Sequence, residues 1–396
     1  MDRGDDPTLI VEPETMPESS GNGDGTFDRD KFSVKNALDF LAQWFETNDK
    51  SDKTIKKLQS DTNTVKPIWK RPLLSLTKLE CHKLHKHIRD KVRGKANADA
   101  LAGEYGHFIG NYAANSALTH LQLAFNKCQY WLEEKGFPQD ALNPIRKGFP
   151  WYPERSNRDR IKMGGKPHEK NQLPEWWDET ERTLNAVEKM IWRLSLFTGF
   201  RNRDCCKIRW DEIKNIDDDT TATMFRPEPK GGKHRAFHVP LSTAALAILR
   251  ERREAQDKAA EKNPTMRKCP WVFPTYSKAG MLTRVEVVDN QETVNGKKTP
   301  NKILGKHHNL RRTFETALKH SGVEKQDRQA LMNHKYAVKS SDVHDGYDEP
   351  DTEFVRSKTQ AAADFIMQRG GLSIDEHGKL VRKVDTQPPQ PLRIAS

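Results

Sequence analysis

Thr198-Gly199-Phe200-Arg201-Asn202-Arg203-Asp204 is the stretch on which the reading of this chain turns. It sets an arginine at a tight turn between two segments whose apolar residues recur at helical spacing. Upstream, Glu179 to Phe197 brings Leu184, Val187, Ile191, Leu194 and Leu196 onto one face, and Gly199 is a suitable stop for that helix. Downstream, a shorter helix is expected to start after Arg201 and end near Trp210. In isolation such an arginine is an ordinary solvated helix start. The apolar flanks instead put Arg201 where a core meets a cleft, and Asp204, one turn on, can hold a guanidinium in place.

Moving towards the C-terminus, residues 221–226 (TATMFR) and 235–240 (RAFHVP) read as strands around Lys230-Gly231-Gly232-Lys233. That is a β-hairpin with a lysine-bearing tip, a glycine-permitted bend able to carry a lysine to a phosphate. Alone it is a common surface turn, and it does not match the phosphate-binding loop that ends in GK[ST]. Helical patterns follow at 242–260, at 308–320 with Gly322 as the stop, at 324–333 and at 351–368. His308 and Arg311 share one face of a helical turn. A histidine that can move a proton beside an arginine that can neutralise oxygens suits a phosphate. Leu331-Met332-Asn333-His334 comes next, and thirteen residues past His334 stands Tyr347. Its neighbours are polar (Val343-His344-Asp345-Gly346-Tyr347-Asp348), which marks a presented tyrosine rather than a core one.

Towards the N-terminus, residues 33–138 read as a small all-helical domain. Ser33 is a candidate cap for a helix burying Ala37, Phe40, Leu41, Trp44 and Phe45. Further helices are expected at 52–64, at 77–93 behind Thr77, and at 115–134, where Leu118, Leu121, Ala124, Phe125, Cys128 and Trp131 form a stripe. Residues 139–174, rich in proline and glycine and carrying Arg155, Arg158, Arg160 and Lys162, read as a linker. That basic run is either a solvated loop or a strap across a DNA backbone, helped by Trp151 and Tyr152. The chain thus divides into an acidic disordered arm (1–32), a helical domain (33–138), the linker (139–174), a second, mainly helical domain with one small sheet (175–370) and a tail (371–396).

Charge narrows the partner. The formal net charge is +11, yet the first 31 residues hold nine acids against three bases, so about +17 falls on the remainder. Such an excess favours a polyanion, because neutralised phosphates release condensed counterions. The start lacks the basic and apolar regions of a secretory signal, and no stretch approaches the ~18 apolar residues of a membrane span. Cys81, Cys128, Cys205, Cys206 and Cys269 are odd in number and form no metal-ligand spacing, so a reducing, cytosolic compartment fits.

The order Arg201, Lys230, His308-x-x-Arg311, His334, Tyr347 resembles the tyrosine recombinase family, and within it the phage or prophage integrases. TGFRNRDCCKIRWDEI is similar to the family's first box, Val272 to Pro274 to its strand-end motif, and HNLRRTFETAL to its second box. The likeness runs from about residue 33 to 365 and is strongest from 190 to 348. It implies a SAM-like helical core-binding domain and a mixed α/β catalytic domain forming a C-shaped clamp on double-stranded DNA. It further implies Arg201 and Arg311 as the clamp on the scissile phosphate, Lys230 as the hairpin lysine, His308 and His334 as the histidines, Tyr347 as the nucleophile, and Asp204 in support. Arg155, Arg158, Arg160, Lys162, Lys233 and Arg312 are candidate DNA contacts.

The implied activity is integration or excision of a phage or mobile element through a 3′-phosphotyrosine. No metal and no other cofactor is implied, in keeping with the lack of a phosphate-binding loop and of a carboxylate cluster in the sequence. A homotetramer on DNA, with DNA-bending accessory proteins, is the implied assembly. The helix after the tyrosine would dock on a neighbour; its own residues would equally pack in cis. A type IB topoisomerase would use much the same residues, and a non-catalytic DNA-binding relative would keep the fold. Three departures stand out: Asp204 where glutamate is usual, Asn333 where glycine is usual, and a longer gap between His334 and Tyr347. Tyr336 also falls near His334, but only two residues past it, too close for a separate tyrosine segment.

Overall fold

The structure is a computed structural model, which describes residues 32–103, 105–134, 143–154, 160–164, 169–229, 236–288, 291–294, 297–333 and 352–383. The chain forms two compact units that divide between Asn157 and Arg158.

The first unit is helical: α1 (Val34–Thr47), α2 (Asp52–Thr64), α3 (Lys78–Arg93), α4 (Ala98–Ala102) and α5 (Asn111–Glu134). Ser33 and Thr77 cap α1 and α3, each in a reciprocal box with the residue three positions on, Asn36 and Glu80. The apolar faces of α1 and α5 meet in one core containing Phe40, Leu41, Leu118, Leu121 and Phe125. A buried carboxylate ties α2 to α5. Asp61 accepts hydrogen bonds from Lys57 Nζ at 2.6 Å, Ser116 Oγ at 2.7 Å and His120 Nδ1 at 2.8 Å. Burial alone would raise its pKa, but these donors outweigh that and hold it below the ordinary value.

The second unit holds α6 (Leu173–Thr183), α7 (Ala186–Thr198), α8 (Asn202–Cys206), β1 (Ile213–Lys214), β2 (Thr223–Arg226), β3 (Phe237–Pro240), α9 (Thr243–Lys262), β4 (Pro274–Tyr276), β5 (Leu282–Arg284), β6 (Gln291–Val294), β7 (Lys297–Pro300), α10 (His308–His320), α11 (Lys325–Leu331), α12 (Thr352–Gly370), β8 (Leu372–Ile374) and β9 (Leu380–Arg382). The strands β1, β2 and β3 form an antiparallel sheet in that order, with Met224 opposite Val239 and Phe225 opposite His238. α7 lies at the centre: Ile191, Trp192, Leu194, Leu196 and Phe197 are all fully buried, packed among α9, α10 and α12.

Several expectations change. The helix read over 179–197 is two helices, because Asn185 accepts from the amides of Val187 and Glu188 at 3.1 and 2.9 Å and starts α7 afresh. Leu184, just before it, is extended and ends α6. The helix expected to reach Trp210 stops at Cys206. Instead of one small sheet there are three further two-stranded hairpins, β4–β5, β6–β7 and β8–β9. Their strands are three or four residues long, too short to show an alternating pattern.

The stretch read as a linker is shared between the units. Ile145 and Phe149 are buried in the first core, and Asn115 Nδ2 donates to the Tyr152 carbonyl at 2.9 Å. Ile161 and Met163 are buried in the second, where the Ile161 amide donates to Thr313 Oγ1 at 2.9 Å. The C-terminal region is likewise built in. α12 packs in cis, burying Val355, Ala362, Ala363 and Ile366, and β8–β9, placed in the tail by sequence, adds Leu372 and Leu380 to the same core. No helix among the described residues is long and apolar enough to cross a membrane.

Candidate active site

The site begins where α7 ends. Gly199 takes the left-handed conformation, φ +65°, and its amide donates to the Ser195 carbonyl at 2.9 Å, closing the helix. A second constraint applies here: a Cβ on Gly199 would lie 2.6 Å from Phe314 Cδ1 and 3.0 Å from Met332 Sδ. Glycine therefore lets α10 and the end of α11 close onto the turn. Phe200 is buried, and Arg201 is extended at the N-cap of α8 with its side chain 27% exposed. Its Nη1 lies 3.7 Å from Asp204 Oδ2. At that length the pair is electrostatic rather than hydrogen-bonded, so the planar fork keeps its capacity for an incoming oxyanion.

α10 supplies the opposite wall. Its apolar residues Leu310, Phe314, Ala317 and Leu318 are buried, which fixes its rotation and turns Arg311 inward, 5% exposed. Arg311 Nη1 donates to the Gly199 carbonyl at 2.8 Å, and Nη2 donates to the Met332 carbonyl. Two of the five guanidinium donors thus join the end of α7 to the end of α11. His308, one turn earlier on α10, is exposed.

Sequence reasoning missed Arg226 and its partner. Arg226, at the end of β2 and 3% exposed, donates to Glu212 Oε2 at 2.6 Å and to the Asp204 main-chain carbonyl at 2.7 Å. It pins α8 to the sheet and so holds Arg201 and Asp204 in place. Burial pushes the Glu212 carboxyl pKa up, with Arg226 opposing the shift. The signal lay in the inward position of an arginine on a short strand and in the acid of the box Arg209-Trp210-Asp211-Glu212, neither informative without the fold.

Arg201, Asp204, Arg226 and Arg311 line one narrow cleft together with Pro229 and Asn333. In the chain, Pro229 immediately precedes Lys230 and Asn333 immediately precedes His334. Lys230, Lys233, His334, Tyr347, Arg155 and Arg158 themselves lie outside the described residues, as does Tyr336. His308 and Arg312 are not among the residues lining the cleft, and Arg160 and Lys162 border a different cavity. Asn333 has φ +44°, just after α11. Asparagine is the non-glycine residue that best tolerates that conformation, which accounts for its standing where glycine is usual.

His307, the residue before His308, is buried edge-on to Trp192, ring centroids 5.0 Å apart, with neither ring nitrogen hydrogen-bonded among the described residues. Burial, aided by the neighbouring His308, pushes its pKa down to about 3. A depressed histidine pKa means that the unfolded chain binds the proton more tightly. Its stabilising contribution is therefore complete above about pH 6.5 and is lost progressively as pH falls towards 3. Between pH 7 and pH 5, wild type is expected to lose about 2 kcal/mol more stability than His307→Leu. Thermal unfolding at the two pH values measures this, and parallel losses would refute it.

Residues 168–339 match the model of the phage integrase family. No curated protein sequence matches the chain. Among solved structures, the Tn1549 transposon integrase in complex with a circular intermediate DNA is 12% identical, with a TM-score of 0.52 over 77% of this chain and 92% of that one. The same integrase in complex with transposon right end DNA gives 11% and 0.50 over 76% and 91%. A lambda integrase tetramer bound to a Holliday junction gives 16% and 0.44 over 81% and 79%. At these identities the likeness to the Tn1549 structures is one of fold.

Proposed function

We infer that the phage integrase family domain at residues 168–339 makes this chain a site-specific recombinase, one that breaks and rejoins DNA strands through a 3′-phosphotyrosine formed on Tyr347. The observation that carries this reading is the convergence of Arg201 and Arg311 on one cleft whose lining ends at the residues preceding Lys230 and His334. Two fixed cationic forks suit the non-bridging oxygens of a phosphodiester, whose charge grows as a fifth oxygen approaches phosphorus.

A phenol has a pKa near 10, so Tyr347 needs a proton acceptor, and His308 is the candidate. The Tyr347 oxygen bonds to phosphorus, the bond to the 5′ oxygen breaks, and Lys230 gives that oxygen its proton. His334 would hold the phosphate by a hydrogen bond. The phosphotyrosine conserves the energy of the broken diester, and attack by a 5′ hydroxyl releases the tyrosine and reseals a strand. The partner is double-stranded DNA carrying attachment or recombination sites of a phage or mobile element, with a homotetramer as the working assembly, DNA-bending accessory proteins in attendance and the cytoplasm as the place of action. Arg160, Lys162 and Arg312, with Arg155, Arg158 and Lys233, would contact the backbone.

A nicked suicide duplex bearing a candidate attachment site tests the reading. Wild type should form a covalent adduct, and digestion followed by mass spectrometry should find the nucleotide remnant on the peptide containing Tyr347. A remnant on Tyr336, or no adduct at all, would overturn it.

A further inference from the structure

Beside the N-terminal end of α10 the second unit has a cavity of about 440 Å³ whose lining includes Arg160, Lys162, Lys302, Lys306 and no acidic residue. A cavity of similar size on the same unit, about 460 Å³, sets Glu175, Asp178 and Glu179 against Lys170, Arg182 and Arg382, so its charges cancel. Only the first is one-signed, and a concave site of one sign concentrates field on a counter-charge. Among the described residues Arg160 pairs with Glu169 at 3.0 Å, whereas no acid pairs with Lys162, Lys302 or Lys306.

The backbone that bears these cations is fixed. Asn301, 3% exposed, accepts from the amides of Ile303 and Leu304, both at 3.0 Å, and donates to the buried Glu179 carboxylate at 2.5 Å. Gly305 turns at φ +65° and its amide donates to the Asn301 carbonyl at 3.1 Å. On the opposite wall the Lys162 amide donates to Gln172 Oε1 at 3.1 Å, and the Gln172 amide to the Lys162 carbonyl at 2.7 Å. The lysines thus extend from a preorganised cradle rather than from a loose loop. Asn309, on the same helix as Arg311, completes the lining.

We propose that this cavity seats a DNA backbone phosphate other than the one that reacts, held by Lys162, Lys302 and Lys306, so that the second unit grips the strand at two phosphates. The proposal rests on the recombinase reading and specifies how that enzyme holds its substrate. The DNA inferred as substrate carries many phosphates on one strand, which supplies a second phosphate for this cavity besides the one assigned to the arginine cleft.

Fluorescence anisotropy of a random-sequence duplex over a NaCl series, with the full chain, is the test. Lys302→Gln/Lys306→Gln should bind about tenfold more weakly at moderate salt, and the slope of log affinity against log salt should shrink by about one. At saturating suicide substrate the same variant should cleave at the wild-type rate. A charge-matched control on the exposed side of α9, Lys258→Gln/Lys262→Gln, should keep the wild-type slope. An unchanged slope in the first variant, an equal change in the control, or a slower saturated rate would each overturn the proposal while leaving the recombinase reading intact. Failure of wild type to bind duplex even at low salt would sink both.

Discussion

Arg311→Lys is expected to slow covalent adduct formation on a suicide duplex about a hundred- to a thousandfold, equivalent to roughly 2.7–4 kcal/mol of transition-state stabilisation. The substitution keeps the charge and removes the fork. Arg311 is buried and joins the carbonyls of Gly199 and Met332. An ammonium can reach one of these and leaves the other unpaired, a structural cost of about 1–3 kcal/mol. Arg201→Lys separates the two effects. Among the described residues Arg201 donates to no main-chain carbonyl, and its partner is Asp204 at 3.7 Å. That variant should show a kinetic loss of the same order with an almost unchanged melting temperature. Single-turnover kinetics paired with thermal unfolding measures both, and a lysine that cleaves at the wild-type rate at either position removes that residue from the phosphate clamp.

Gly199→Val should be the most destabilising single change at the site. A β-branched residue is forced to φ +65°, at about 1–2 kcal/mol or more, and its Cβ falls 2.6 Å from Phe314 Cδ1 and 3.0 Å from Met332 Sδ. Overpacking of this kind adds about 1–3 kcal/mol. The sum, about 2–5 kcal/mol, corresponds to a fall in melting temperature of roughly 5–20 °C for a unit of this size. Cleavage should fall further than stability alone requires, because displacing Phe314 shifts α10 and with it Arg311. Asparagine at 199 relieves the backbone strain but keeps the Cβ contact, so it should melt between wild type and valine. A valine variant that melts with wild type would show that the turn does not need glycine.

Much of the helical framework was legible because its causes are local. The spacing of apolar residues and the caps Ser33 and Thr77 gave α1 and α3, and α2 and α10 have the limits their patterns predicted, Asp52–Thr64 and His308–His320. Arg201 and Arg311 stood out for the same reason: a glycine stop and a three-residue helical interval are properties of a few adjacent positions. Asn185 was legible in principle, as a cap residue within an apolar pattern, but the continuous stripe around it concealed the break. The short hairpins lack enough residues to establish a period.

By itself, then, the sequence determined much of the helical framework, the basic charge and the order of the polar residues that resemble an integrase. What the tertiary structure alone decided is which of them meet. The fold brings Arg311 within hydrogen-bond reach of Gly199, 112 positions away, and sets Arg226 beneath Asp204. It also distributes the stretch 139–174 between two cores and closes α12 onto its own chain. These contacts depend on how α7, α10 and the β1–β3 sheet pack, and packing is a sum over residues far apart in sequence, whereas capping and periodicity act within a turn or two.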